Sequence, residues 1–310
     1  MMRGTLLYLS NNRALRASAE NVGVAQRAAG RFVAGTTIDD AVTTVRQLNQ
    51  QNMLATLDHL GEGVESELDA RNAAQEYVRL VDSIQQAGLR SNVSLKLTHF
   101  GIDLSDDLAF ELVRSVVQRA GMYGNFVRMD MENHPYVDRT LNLYRRLRAS
   151  GLDNVGVVIQ SYLYRSQDDI RDLVELGARV RLCKGAYLEP PDVAFPRKAD
   201  VDANYIGLAK MLLAPGALAK GVYPAFATHD PAMIEAVKAY TGENKISPGL
   251  YEFQMLYGVR RDLQRELVQQ GYRVRIYVPF GREWYPYFMR RLAERPANVM
   301  FILRNVVADR

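Results

Sequence analysis

Short, nearly continuous apolar runs recur along this chain, and longer stretches between them return apolar residues every three or four positions. The runs fall at residues 53–58 (MLATLD), 93–97 (VSLKL), 126–130 (FVRMD), 155–160 (VGVVIQ), 179–184 (RVRLCK), 222–228 (VYPAFAT), 251–256 (YEFQML) and 274–279 (VRIYVP). Segments between them, such as AAQEYVRLVDSIQQAG and SQDDIRDLVELG, carry the helical period. Strands buried on both faces read as unbroken apolar runs, and their alternation with helices requires parallel pairing through crossovers. Eight such units predict an α/β fold, a (βα)8 TIM-type barrel over residues 51–310, with an open doubly wound sheet as the alternative. Residues 1–50 have a different texture and read as an N-terminal helical segment packed on the barrel. There NVGVAQRAAGRFVAG has helical spacing, and a new helix starts at TTIDDAVTTVRQLNQQ. Thr36 or Thr37 caps it, with Asp39 and Asp40 complementing the positive end of the helix dipole.

At 310 residues and 48% hydrophobic, the chain can bury one large core. The formal charge of +4 is dispersed with no long Lys/Arg block, so nucleic acid is not the expected partner; anionic small molecules or an anionic membrane face suit it better. A single cysteine, Cys183 in VRLCKGAY, excludes an internal disulfide and a multi-cysteine zinc site, and is expected to be buried and inert. No apolar stretch approaches a membrane span, and MMRGTLLYLSNNRALR lacks signal-peptide organisation, which reads as a cytoplasmic chain.

In a barrel, reactive groups collect at the carboxyl ends of the strands. Those ends carry Asp58 and His59; Lys96, Thr98 and His99; Asp130, Glu132, Asn133 and His134; Gln160; Arg181 and Lys184; Thr228, His229 and Asp230; Gln254; and Tyr277. Lys96 and Asp130, opposite in charge at neighbouring strand ends, are read as a coupled pair. On the final helix, Tyr287, Arg290, Arg291 and Glu294 share one face by their spacing, with Phe288, Met289 and Leu292 on the apolar side. Two adjacent guanidiniums suit bidentate carboxylate recognition; a solvated helix with an ordinary ion pair is the plainer alternative. Lys96, Arg181, Arg290 and Arg291 would converge around few carboxylates, and such a site wants an anionic ligand.

A hydrolytic metal site built on His99, His134, His229 and Asp130 has little support, because neither HxH nor HExxH occurs and each histidine lies on a different connection. No metal is expected. The chain also has no GxGxxG after a strand, no GxxxxGK[ST] and no GxSxG.

The ordered segments VSLKLTHFG, RMDMENH, VIQSYLYR, VRLCKGAY, FATHD, EFQMLYGV, RIYVPFG and YFMRRLAERPAN resemble those of bacterial monofunctional proline dehydrogenases and of the proline dehydrogenase barrel of bifunctional proline utilisation proteins. The resemblance spans about residues 50–305. It implies a (βα)8 barrel that binds FAD, oxidises L-proline to Δ1-pyrroline-5-carboxylate by hydride transfer to flavin N5, and passes electrons to a membrane quinone, the first step of proline degradation to glutamate. Any membrane contact would then be peripheral.

Carried over by motif, Lys96, Arg290 and Arg291 are expected on the proline carboxylate, Tyr277 and Leu256 against its ring, and Glu294 in support of the arginine pair. Asp130 matches a catalytic-site carboxylate, and Arg181 an arginine beside the reactive flavin nitrogen. Met131, Gln160, Arg181, Lys184, Gly185, Ala186, Tyr187, Thr228, His229 and Gln254 match FAD-binding positions. Leu188, Val201 and Asp230 depart from the bifunctional pattern, on the side expected to hold adenosine. Two competing readings are another flavin barrel of the methylenetetrahydrofolate-reductase type and a non-catalytic barrel for an anionic ligand.

Overall fold

The computed structural model describes residues 29–294, and side chains as far as Arg291. Strands and helices alternate: α1 Ile38–Gln50, β1 Leu54–His59, α2 Glu67–Gln86, β2 Ser91–Leu95, α3 Asp106–Met122, β3 Val127–Met129, α4 Val137–Ala149, β4 Val155–Gln160 and α5 Ser166–Glu175. They continue with β5 Arg179–Cys183, α6 Lys198–Leu213, α7 Pro215–Ala219, β6 Tyr223–Ala227, α8 Pro231–Glu243, β7 Glu252–Leu256, α9 Arg261–Gln269, β8 Val274–Phe280 and α10 Trp284–Glu294. The eight strands pair in parallel in chain order and close on themselves, which decides between a barrel and an open sheet. The seam runs from Leu54 opposite Arg275 to His59 opposite Phe280.

Local rules account for the elements. Thr37, not Thr36, caps α1: its hydroxyl accepts from the Asp40 N–H while the Asp40 carboxylate takes the Thr37 N–H, and Thr36 N–H donates to the same carboxylate at 3.0 Å. The part of NVGVAQRAAGRFVAG before residue 29 lies outside the described residues. Every expected strand forms, with ends displaced by up to two residues. The VSLKL strand starts earlier, at Ser91, and stops at Leu95 because Leu97–Phe100 turns into a 3-10 helix, which leaves Lys96 just beyond the ladder. Asp130 also lies beyond its strand, although its N–H still donates to Leu95 O at 2.8 Å.

Outward strand residues such as Val127, Met129, Val157 and Leu182 pack under the helices in one large apolar core. The lumen is different. Alternate positions share a face, and bonds from β3 to β5 and to β8, neither of which pairs with β3, place Asp130, Arg181 and Tyr277 inside the ring. Thr56, Ser94, Arg128, Glu252 and Gln254 are buried with them, so the centre of the barrel is a polar network.

A second apolar cluster joins Ala29, Phe32 and Val33, ahead of α1, to Trp284, Tyr285, Tyr287, Phe288 and Met289 of α10. Ala34 N–H also donates to Pro279 O at 2.8 Å. These contacts fix the pitch of the helix that carries Arg290 and Arg291.

Candidate active site

A cavity of about 570 Å3 opens at the carboxyl ends of the strands, within the range of small-molecule and cofactor sites. Its wall brings together Lys96 after β2, Asp130 and Met131 after β3, Gln160 ending β4, Arg181 of β5 with Lys184, Gly185, Ala186 and Tyr187 beyond it, and Thr228 and His229 after β6. Gln254 and Leu256 of β7, Tyr277 of β8, and Tyr287, Arg290 and Arg291 of α10 complete it. These positions are far apart in sequence and meet because parallel strands deliver every carboxyl end to one rim. Glu294 lies on α10, but its side chain is outside the described residues.

The cations are paired differently from the sequence expectation. Lys96 Nζ donates to Asp58 Oδ2 at 3.1 Å, not to Asp130, because the turn at Leu97 swings the lysine toward β1. Arg181 takes Asp130 instead, Nη1 to Oδ1 at 2.6 Å. Arg290 Nη1 donates to Glu62 Oε1 at 3.1 Å. The expected scarcity of carboxylates is therefore also corrected: Lys96, Arg181 and Arg290 each have one. Arg291 lies with Cζ 5.0 Å over the Tyr287 ring, so both adjacent guanidiniums are held, one by charge and one by an aromatic face.

These pairings set the protonation states. Burial opposes the Lys96 ammonium, but Asp58, Asp130 and Glu62 outweigh it and raise its pKa. Burial likewise works against the Asp58 and Glu62 carboxylates, yet Lys96 and Arg290 respectively bring them below the ordinary range. Burial and the neighbouring Asp130 and Asp58 push Tyr277 well above a normal phenol. Tyr277 thus stays a neutral donor, giving its hydrogen to Asp130 Oδ2 at 2.8 Å. Ser94 Oγ also donates to Asp130 Oδ1, at 2.6 Å, so three donors converge on this carboxylate.

On the other side of the cavity, Arg181 Nε donates to Gln254 Oε1 at 2.5 Å while its Nη2, though buried, has no partner. Gln160 Nε2 reaches the Met131 and Glu132 carbonyls at 3.4 and 3.3 Å and leaves Oε1 unpartnered. A buried donor and a buried acceptor thus stand unpartnered on two residues of the cavity lining, where native structures rarely leave polar atoms unmatched. Gly185 has φ of +110°, and a Cβ there would lie 2.5 Å from the Tyr162 ring, so this backbone reaches the cavity only as glycine. Lys184 sits between Asp202 at 2.5 Å and Asp230 at 2.7 Å, and Asp230 also caps α8 through Ala232 N–H. His229 Nε2 accepts Leu256 N–H at 3.0 Å, which assigns its proton to Nδ1.

The remaining sequence candidates find other places. His134 pairs with Glu189 at 2.6 Å, and His99 lies against His59 with ring centroids 5.8 Å apart, so these two and His229 do not meet. Cys183 is half-buried on the cavity wall, and burial pushes its thiol up to about 12. The sequence reading missed Glu62 as the partner of Arg290. Its one signal was a carboxylate between two glycines just after the first strand.

A sequence model of the family described as Proline dehydrogenase matches residues 41–304. Proline dehydrogenase 1 of Bacillus subtilis (strain 168) is 43% identical over 307 residues, covering 99% of both chains. Proline dehydrogenase of Deinococcus radiodurans is 42% identical over 283 residues, 90% of each. Among solved structures, proline utilization A (PutA) from Bdellovibrio bacteriovorus, inactivated by N-propargylglycine, superposes with a TM-score of 0.81 at 26% identity, over 93% of this chain and 38% of that one. A family match across most of the chain, near end-to-end identity with two of these proteins and the same closed barrel establish that this chain belongs to the proline dehydrogenase family.

Proposed function

We propose that the protein oxidises L-proline to Δ1-pyrroline-5-carboxylate as the first step of proline degradation, with FAD as its flavin and a membrane quinone as the final acceptor. The observation that carries this reading is one cavity with two chemically distinct walls. Lys96, Arg290 and Arg291 form a cationic wall suited to a carboxylate, while Gln160, Arg181, Gly185, Thr228, His229 and Gln254 bring polar groups and glycine backbone to the other.

In this reading the arginine pair and Lys96 grip the proline carboxylate, and Tyr277 and Leu256 bound its ring. Charge-assisted bonds fix the position, and position is the larger part of what a protein contributes to such a reaction. Glu62 and Asp58 keep the cations oriented without occupying the cavity wall themselves. Asp130 acts through its neighbours, holding Arg181 and Tyr277 in place. Bound FAD supplies the hydride acceptor. Met131, Gln160, Arg181, Gly185, Ala186, Tyr187, Thr228, His229 and Gln254 would hold it. Lys184 would answer its phosphates, and the cationic Arg181 favours negative charge on a reduced ring.

Among the described residues no helix is long and apolar enough to cross a membrane, so contact with a membrane quinone would be peripheral. Leu188, 68% exposed and next to Tyr187 of the cavity wall, is an apolar side chain placed to meet such an acceptor.

Anaerobic addition of proline to the purified protein tests the reading directly. A flavin spectrum should bleach with proline and far less readily with pyrrolidine, heat or acid should release intact FAD, and N-propargylglycine should inactivate. A colourless protein that retains its fold, or one that releases FMN, rejects it.

A further inference from the structure

A second chamber, of about 320 Å3, opens at the amino-terminal mouth of the barrel, the end opposite the cavity described above. Arg90, Arg128, Arg179 and Arg275 line it against a single carboxylate, Glu252. That carboxylate is already engaged. Arg275 grips it twice, Nε to Oε1 at 2.7 Å and Nη2 to Oε2 at 3.1 Å, and Gln254 Nε2 donates to Oε1 as well.

Arg90 donates to the Asn49 carbonyl at 2.6 Å and, like two further guanidiniums, has no ion-pair partner among the described residues. Neither Arg128 nor Arg179 has a carboxylate within ion-pair distance among the described residues. Arg128 is only 3% exposed, its Nη1 donates to the carbonyls of Val157 and Arg179, and its Nε has no partner. The Phe126 ring lies 4.8 Å from Arg128 Cζ and 5.1 Å from Arg179 Cζ. Carbonyl dipoles and an aromatic face position these cations but leave their charge standing. Room for this has been kept: a Cβ at Gly156 would lie 2.7 Å from both Arg128 Nη1 and the Phe126 ring. Burial, with repulsion from Arg181 and Arg275, lowers Arg128 to about 9 against the partial attraction of Glu252 and Asp130, which still leaves it cationic at neutral pH.

A buried cation without a partner is strongly unfavourable, and the planar fork of arginine matches oxyanions. We propose that the amino-terminal mouth of the barrel binds a small oxyanion of the phosphate or carboxylate class between Arg128 and Arg179, entering past the exposed Arg179 rim. This site is independent of the proline reading. The amino-terminal face of such barrels ordinarily serves stability alone, and the two roles give different results.

The test is the melting temperature of the flavin-loaded protein as inorganic phosphate replaces chloride at constant ionic strength, repeated with a small dicarboxylate to separate the two ligand classes. A saturable rise is expected, shifted at least tenfold to higher concentration in Arg179→Gln, while that variant keeps its flavin and its reduction by proline. Arg128→Gln should abolish the rise. If it does not fold, Arg179→Gln on the rim still decides the matter. A rise that never saturates, one unchanged in Arg179→Gln, or one lost in Arg291→Met instead, which would assign the anion to the other end, overturns the proposal.

Discussion

Arg181 and Asp130 meet across the barrel lumen, Nη1 to Oδ1 at 2.6 Å, joining β5 to the end of β3 although those strands do not pair. The same carboxylate oxygen takes Ser94, and the other takes Tyr277. Asp130→Ala therefore releases three donors at once. Flavin reduction by proline is expected to slow by roughly tenfold or more, while flavin retention changes less. Stopped-flow absorbance measures the first and the flavin-to-protein ratio after gel filtration the second. Normal reduction in a folded, flavin-replete variant would leave the ion pair a purely structural role.

Arg291→Met removes one half of the arginine pair, whose other half is tied to Glu62. Loss of a charge-assisted bond of about 1.5–3 kcal/mol is roughly ten- to a hundredfold in ligand binding. Lysine should restore only part of it, because the charge returns without the fork. The informative comparison crosses arginine present or absent with carboxylate present or absent, using proline and pyrrolidine. Independent effects in that cycle would show that Arg291 does not touch the carboxylate.

Gly185→Ala confronts both a φ of +110° and the Tyr162 ring at 2.5 Å. Strain of about 1–3 kcal/mol at one residue moves the backbone it sits in. The variant should fold, with a melting temperature close to the parent in the flavin-free state, and hold flavin at least tenfold more weakly by fluorescence titration. Unchanged affinity would remove this backbone from the flavin site.

His99 is buried against His59, and burial, with His59 and Lys96 adding to it, brings its pKa down to about 4. The unfolded chain takes up this proton first as pH falls, near 6.5, so the native state loses stability between about 6.5 and 4 and regains it as pH rises through that window. The full effect is on the order of 3 kcal/mol. Urea unfolding at pH 5 and pH 7 should show a smaller difference in His99→Gln than in the parent. Some slope should remain, since burial lowers His59 as well. An identical difference in both proteins would count against a neutral, buried His99.

The barrel was legible because strands covered on both faces have to be apolar runs, as in VGVVIQ, where β4 covers the six positions expected. The site was legible in part for the same reason: once the strands are located, Lys96 and Asp130 fall at one end of the ring, while Arg181 and Tyr277, read as strand ends, sit midway along β5 and β8 and point into the lumen. Partnership was not legible. Lys96 chooses Asp58 over Asp130 because a 3-10 turn redirects it, and nothing in VSLKL announces that turn. Glu62 and Arg290 are 228 residues apart and meet only through the tilt that the Phe32–Phe288 packing gives α10.

The seam between β1 and β8 has a consequence for biosynthesis. Until residues 274–280 have emerged, β1 keeps one edge open, and no other strand of the ring takes its place. Nascent chains and truncated products ending short of β8 therefore carry an unpaired edge, the feature most prone to association with another chain. The cationic wall is later still, since Arg290 and Arg291 follow the seam and Arg290 pairs with Glu62 in a loop made near the beginning. If the cavity holds flavin as proposed, its capture should consequently follow translation, and expression that outruns the flavin supply should lower the yield of folded protein, because a ligand that binds only the closed barrel stabilises it by mass action.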